Sequence, residues 1–88
     1  MKLKNDFVMT KLGENSVLVP VGDAAQHLHA VVRLNETAAF IVDELRWDTI
    51  REMIVDAVLM QYDVERDVAD ENVGAVLDRL REIGALAE

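Results

Sequence analysis

The 88-residue sequence contains no cysteine, so disulfide bonds and cysteine-ligated metal sites are excluded and the redox compartment is left open. It has one proline, four glycines and few aromatic residues, with neither an internal repeat nor a low-complexity linker. No apolar run is long enough to span a membrane, and the first residues lack the apolar segment of a signal peptide. These absences predict a soluble cytoplasmic protein that does not associate with a membrane.

Positive charge is also scarce. Nine Lys and Arg residues against 17 Asp and Glu residues give a net charge of −8. Nucleic-acid binding depends on Lys and Arg neutralising phosphates, so an acidic chain is repelled overall, and the charge argues against a nucleic-acid partner. Apolar residues amount to 51%, which predicts a packed core in a single domain covering residues 1–88.

The first part of the chain predicts three short β-strands, at residues 7–12, 17–19 and 29–34. Gly13-Glu14-Asn15 provides the first turn, and Pro20 ends the second strand because proline cannot donate a hydrogen bond to a sheet. A connection over residues 22–28 leads to the third strand. Such short connections favour an antiparallel meander whose first and third strands are edges.

Three helices are predicted to follow. Asn35 is a favourable N-cap for the first, whose buried stripe is Ala38, Ile41, Val42 and Leu45. Thr49 and Glu52 match a capping box for the second, which ends near residues 62–63 and buries Ile50, Met53, Ile54, Ala57 and Val58. The third runs from about residue 65 or 67 to 83, ends at Gly84, and buries Ala69, Val73, Val76, Leu77 and Leu80. The predicted fold class is therefore α+β, a three-stranded antiparallel sheet followed by three helices.

We find no constellation of catalytic residues in the sequence. His27 and His29 are spaced like a metal pair but lack cysteine partners, and surface positions are the preferred interpretation. Most carboxylates fall on the polar faces of helices, and no phosphate-binding loop is present. Met53 and Met60 are interpreted as core fillers in preference to a binding surface, and Trp47 is expected to cover the core. The sequence thus predicts no catalytic site, no cofactor and no metal.

Two features suggest a binding role. The third strand would be an exposed edge with one charge and no proline to guard it. Gly74 lies in the middle of a helix, where glycine costs about 1 kcal/mol relative to alanine. One interpretation is that it admits another backbone. The other, slightly favoured, is that it is a tolerated imperfection or packs against another helix.

The chain carries, in order, the segments Val19-Pro20-Val21-Gly22, Val32-Arg33-Leu34-Asn35-Glu36-Thr37-Ala38, Tyr62-Asp63-Val64, Asn72-Val73, Val76-Leu77, Leu80 and Ile83-Gly84-Ala85-Leu86. Together they resemble the PqqD family, named for its member in pyrroloquinoline quinone biosynthesis and also called the RiPP recognition element, after ribosomally made and modified peptides. The resemblance covers residues 7–86. The chain departs from the usual pattern at Val42 and Val76, where large aromatic residues are common, and at Asn72, where aspartate is common.

The resemblance implies a winged helix-turn-helix-like fold and a peptide chaperone of natural product biosynthesis. Such a protein binds the leader peptide of a precursor as an added strand and presents it to a modifying enzyme, often a radical S-adenosylmethionine (SAM) enzyme. Carried onto this chain, the implied peptide-binding residues are Val31, Val32, Arg33, Val68, Asn72, Ala75, Val76 and Arg79. Arg33 and Arg79 are candidates to meet an acidic residue of the leader.

Two interpretations from other classes remain open. A winged-helix DNA-binding regulator has the same fold class, and Arg66, Arg79 and Arg81 give the third helix some positive charge. A structural homodimer could use the same strand edge to pair with itself. An enzyme is the weakest alternative because no group of residues supports one.

Overall fold

The computed structural model describes residues 1–28 and 31–88. Within these ranges the chain forms two antiparallel sheets and four helices. In chain order the elements are β1 (Lys2–Leu3), β2 (Phe7–Leu12), β3 (Asn15–Pro20), α1 (Asp23–His27), β4 (Val32–Leu34), α2 (Glu36–Glu44), α3 (Arg51–Gln61), α4 (Arg66–Glu82) and β5 (Leu86–Ala87). The predicted α+β fold class is confirmed.

The larger sheet is the predicted antiparallel meander, with strand order β2-β3-β4. A two-residue loop joins β2 to β3, and its Gly13 takes a φ of 68°, a left-handed conformation that glycine adopts without steric cost. Pairing of Leu18 with Val32 and of Ser16 with Leu34 fixes the register between β3 and β4. The third strand is shorter than predicted. It spans Val32–Leu34, while residues 29 and 30 of the predicted strand lie outside the described residues.

Three elements, β1, β5 and α1, were not predicted from the sequence. Strands β1 and β5 pair in antiparallel fashion, with Lys2 opposite Ala87 and Leu3 opposite Leu86. Each has two residues, which is too short for a pattern of alternating burial to show. The short helix α1 occupies the predicted connection, and its hydrogen bond from Leu28 N to Ala24 O closes one turn.

Caps define the ends of two helices as predicted. The Asn35 side chain accepts a hydrogen bond of 2.8 Å from the backbone N–H of Ala38, at the start of α2. At the end of α4, Gly84 has a φ of 73°. Ala85 N donates to Leu80 O at 2.8 Å and Gly84 N to Arg81 O at 3.1 Å, the two hydrogen bonds of a Schellman motif.

The predicted capping box at the start of α3 is wrong. The N-cap is Ile50, and no side chain caps this helix. Thr49 instead pairs with the chain start through its backbone: its N–H donates to Met1 O at 2.8 Å, and its carbonyl accepts from the Met1 ammonium at 2.7 Å. These two bonds hold Thr49 outside the helix.

The core lies between the larger sheet and the helices. Helix α2 packs on all three strands of that sheet, and α4 packs mainly on α2 and α3. The fully buried larger side chains are Leu18, Ile41, Leu45, Ile54, Leu77, Leu80, Val42, Val58 and Val73. Burying a side chain of this size contributes roughly 1.5–3 kcal/mol. The predicted stripes of α2 and α4 therefore form the core except at Ala38 and Val76, which were expected to be buried but are half-buried.

The predicted burial along α3 is partly wrong. Val55 is buried in this helix, whereas Ile50 is 55% exposed, Met53 is 60% exposed and Met60 is 91% exposed. Trp47, expected to cover the core, is 69% exposed in the loop before α3. The helix is rotated so that Ile54, Val55 and Val58 face α2 and α4, which places both methionines on its outer side. No helix in the described part of the chain is long and apolar enough to cross a bilayer.

Candidate peptide-binding groove

One wall of the candidate groove is strand β4. Within the described residues β4 pairs only with β3, so its other side is an open strand edge. Val32 is buried towards the core, while Arg33 and the preceding Val31 are exposed. Residues of an antiparallel strand alternate in the direction of their N–H and C=O groups, so part of the β4 backbone is available to another strand.

The opposite wall is one face of helix α4. The predicted positions on this helix recur at i, i+4, i+7, i+8 and i+11 and thus share a face: Val68, Asn72, Ala75, Val76 and Arg79. Four of them are exposed, and Val76 is half-buried and packs against the core. This face lies beside the buried stripe that begins at Ala69, so α4 reaches the core and the groove at once.

A cavity of about 330 Å³ lies between the two walls, lined by Val31, Val32, Arg33, Leu34, Ala38, Ala75, Val76, Arg79 and Leu80. A second cavity, of about 190 Å³, continues it and is lined by Asn35, Thr37, Ala38, Ile41, Asn72, Ala75 and Val76. The two share Ala38, Ala75 and Val76, so they form one groove. Of the predicted site residues, all except Val68 line this groove. Val68 lies on the same face of α4, closer to its start.

Helix α2 supplies a part of the groove that the sequence-based site did not include. Ala38 lies in its first turn and lines both cavities, and Thr37 and Ile41 line the second. The cap at Asn35 turns the chain directly from β4 into α2, which brings this first turn next to Asn72 and Val76 of α4. The sequence feature that could have indicated this part of the groove is the small residue Ala38, three positions after the N-cap Asn35.

The groove is apolar in its middle and carries two arginines near β4. Arg79 contacts Glu82 at 3.4 Å in an exposed pair, which is worth little to stability, so its guanidinium is easily redirected. Arg33 forms no ion pair within residues 1–28 and 31–88. The groove can therefore accept apolar side chains together with an acidic group.

The other arginines of α4 are engaged by carboxylates. Arg66 contacts Asp56 at 2.7 Å, and Arg81 contacts Asp78 at 3.2 Å and Glu88 at 3.0 Å. The hydrogen bond to Glu88 raises the pKa of Arg81 and lowers the pKa of the Glu88 carboxyl. The positive charge of this helix is thus largely matched by neighbouring acids.

No group of three or more potential metal ligands occurs in the described ranges. The predicted surface position of His29 lies outside these ranges, and His27 ends α1. A cavity of about 570 Å³, larger than either groove cavity, lies between the starts of α3 and α4. Both arginines that line this cavity are ion-paired, Arg51 with Asp70 and Arg66 with Asp56.

Fold and groove together define a small α+β domain in which an open strand edge faces a helix across an apolar channel. The sequence model of the family described as "Coenzyme PQQ synthesis protein D (PqqD)" matches residues 15–86, and the chain belongs to this family. No curated protein matches the chain. Of the family-pattern departures, Asn72 and Val76 line the groove, whereas Val42 is buried in the core.

Two solved structures share the fold. "TbiB1 in Complex with the TbiA(beta) Leader Peptide" is 21% identical, with a TM-score of 0.76 over 100% of both chains. "Lasso peptide synthetase B1 complexed with the leader peptide" is 24% identical, with a TM-score of 0.75 over 99% of this chain and 96% of the other. Both of those proteins are bound to leader peptides.

Proposed function

We propose that this protein is a non-catalytic peptide adaptor. It binds the leader peptide of a ribosomally synthesised precursor as an added strand on β4 and presents the precursor to a modifying enzyme, a radical SAM enzyme being the foremost candidate. The observation that carries the proposal is the open edge of β4 facing α4 across a cavity of about 330 Å³. Membership of the PqqD family and the leader complexes of two proteins with the same fold support it.

The backbone of β4 sets the scale of the affinity. Successive residues of an antiparallel strand direct their backbone N–H and C=O groups to opposite sides of the strand. Either one or two of the three residues Val32–Leu34 therefore direct both groups towards the open edge. An added strand would therefore gain about two to four hydrogen bonds, each worth about 1 kcal/mol net. Main-chain bonds of this kind accept many sequences, so specificity must come from the side-chain pockets.

The pockets favour a leader with alternating apolar residues. Side chains on one face of the added strand would enter the channel beside Ala75 and Val76, where the small Ala75 leaves room. An acidic residue at the β4 end would meet Arg33 or Arg79. No cofactor, metal, nucleic acid or membrane takes part. We place this activity in the cytoplasm, where precursors are synthesised, and assign it to residues 1–88 acting as one domain.

The test is an NMR titration of the ¹⁵N-labelled protein with the synthetic leader peptide of the precursor encoded beside it. We expect chemical-shift changes in β4, at Asn72 and at Ala75. A leader of the same composition in scrambled order is the control. If β4, Asn72 and Ala75 remain unchanged at high peptide excess, the groove assignment fails. Retention on duplex DNA that weakens with salt would instead favour a DNA-binding regulator.

A matched pair of variants tests the groove itself. Ala75→Tyr fills the channel from an exposed position of α4, so we expect at least tenfold weaker leader binding, about 1.4 kcal/mol, in a folded protein. Asp78→Tyr places the same side chain one turn later, at an exposed position that lines neither cavity of the groove. Equal affinities of the two variants would contradict the proposal. Sedimentation of both proteins shows whether β4 pairs with a second copy instead.

A further inference from the structure

Helix α3 carries exposed apolar side chains on its outer side. Met53 and Met60 are seven residues apart, which places them on one face about 10.5 Å from each other. Both lie opposite the buried side chains of this helix and are 60% and 91% exposed. We define the methionine face as these two residues together with Ile50 and Trp47, the exposed apolar residues that lead into the helix.

The composition of this face is that of a binding surface. Methionine is flexible and polarizable and is frequent at surfaces that accommodate a protein partner. Tryptophan is enriched among the residues that dominate binding energy, and Trp47 lies in the loop with the Arg46 guanidinium 5.7 Å from its ring centroid. Because the core is filled by the opposite side of α3, folding does not require apolar residues here.

The charges around the face define the partner's chemistry. The carboxylates that precede, flank or follow α3 are Glu44, Asp48, Glu52, Asp56 and Asp63. Two of these acids are already neutralised, Asp56 by Arg66 and Asp48 by the Met1 ammonium, and the other nearby cations, Arg46 and Arg51, contact Asp43 and Asp70. The excess negative charge therefore comes from Glu44, Glu52 and Asp63. The face is thus apolar with a net acidic rim. A second copy would present the same acidic rim and a charge of −8, which opposes self-association through this face.

The position of α3 leaves this face accessible while a peptide is bound. Helix α3 packs mainly against α4 and α2, and neither groove cavity includes any of its residues. Its outer side faces away from the helices that it packs against. A ligand in the groove and a partner on α3 therefore contact different surfaces of the same small domain.

We propose that the methionine face docks the enzyme that acts on the bound precursor, through an apolar surface of that enzyme rimmed by Lys and Arg. The inference rests on the proposed adaptor function and adds the second surface that an adaptor needs. The domain then holds the leader on β4 and the enzyme on α3, which keeps substrate and catalyst together without blocking either.

The probe is the purified modifying enzyme encoded beside this chain, added to protein labelled at the methionine methyl groups. The chain has four methionines; Met53 and Met60 report on the face, and Met9, on β2, serves as the internal reference. We expect the enzyme to shift or broaden the signals of Met53 and Met60 more than that of Met9. The leader peptide alone is expected to leave both unchanged.

Variants separate docking from leader binding. Met53→Lys combined with Met60→Lys adds positive charge to the face, and we expect at least tenfold weaker enzyme binding with leader affinity within about twofold of wild type. Leu12→Lys is the control, because Leu12 is 65% exposed on β2, outside α3. Circular dichroism checks that all variants are folded.

The outcomes are distinct for the two proposals. A wild-type protein that binds no leader overturns the adaptor function, whatever the methionine signals do. The docking proposal is overturned if the wild-type protein binds the leader but not the enzyme, or if the double Lys variant binds the enzyme as tightly as wild type does. It is equally overturned if Leu12→Lys weakens enzyme binding as much as the double Lys variant does. It is also overturned if sedimentation shows a dimer of this chain that the double Lys variant abolishes.

Discussion

Gly74 is buried in the middle of α4, and the Arg51 side chain of α3 covers it. A Cβ atom at this position would lie 2.6 Å from Arg51 Nη2, which is too close for both to stay in place. The neighbour is a side chain and not a backbone, so the glycine packs against another helix, as the slightly favoured interpretation of the sequence held. Arg51 Nε donates to Asp70 Oδ1 at 2.9 Å, and Nη2 donates to Asp70 O at 3.1 Å.

Two opposing energies predict that the effect of substituting Gly74 on the free energy of unfolding depends on whether Arg51 is present. Alanine favours a helix interior over glycine by about 1 kcal/mol. Displacing Arg51 from Asp70 costs about 0–1 kcal/mol, since both side chains are about half exposed and surface pairs are weak. We therefore expect Gly74→Ala to raise the free energy of unfolding by less than about 1 kcal/mol. In an Arg51→Ala background no side chain has to move away from the added Cβ atom, so we expect Gly74→Ala to raise the free energy of unfolding by the full value of about 1 kcal/mol.

The assay is a double-mutant cycle by urea unfolding, followed by far-ultraviolet circular dichroism. In a chain of this size 1 kcal/mol corresponds to about 4–8 °C in melting temperature, which is readily measured. Ala75→Gly, at the exposed neighbouring position, is the control and should cost about 1 kcal/mol in both backgrounds. If Gly74→Ala destabilises the protein by more than 1 kcal/mol in both backgrounds, contact with Arg51 is not what the glycine accommodates.

Three further substitutions test which contacts stabilise the folded domain. Asn35→Ala removes the cap of α2 and should lower the free energy of unfolding, measured by chemical denaturation, by about 1 kcal/mol. Asn35→Ser keeps a side-chain oxygen at the cap and should retain most of the wild-type stability. Leu77→Ala opens a void in the core beneath α4 and should cost about 2–5 kcal/mol in the same assay; a loss under 1 kcal/mol would contradict the observed packing. The hydrogen bond from Arg81 lowers the pKa of Glu88 in the folded state, so its stabilisation is present above the ordinary pKa of a glutamate and is lost as pH falls through the lowered value. Melting temperatures of wild type and Glu88→Gln should therefore differ at neutral pH and converge in acid.

The binding proposals depend on two separate surfaces of α4 and α3. The groove uses the face of α4 beside its buried stripe, so leader binding and the core share one helix. A substitution such as Leu77→Ala that loosens α4 should therefore weaken leader binding as well as stability, while Met60→Lys should affect neither. This contrast distinguishes residues that position the groove from residues that only dock a partner.

The amino-acid sequence by itself determined the elements that short-range physics specifies. Turn residues at Gly13, the cap at Asn35 and the glycine at 84 each satisfy local backbone requirements, so strand and helix ends follow from them. Helical spacing alone placed Asn72, Ala75, Val76 and Arg79 on one face of α4. The edge position of β4 followed from the short connections between strands.

Tertiary structure decided what depends on contacts between distant parts of the chain. The pairing of β1 with β5 joins the two chain ends, and no local pattern marks two-residue strands. The same applies to α3, whose apolar residues lie on more than one side, so packing against α2 and α4 selected Val55 for the core and left Met53 outside. The contribution of Ala38 to the groove likewise arises only once α2 is seated beside α4. Periodicity reveals which residues share a face, but only packing decides which face is buried.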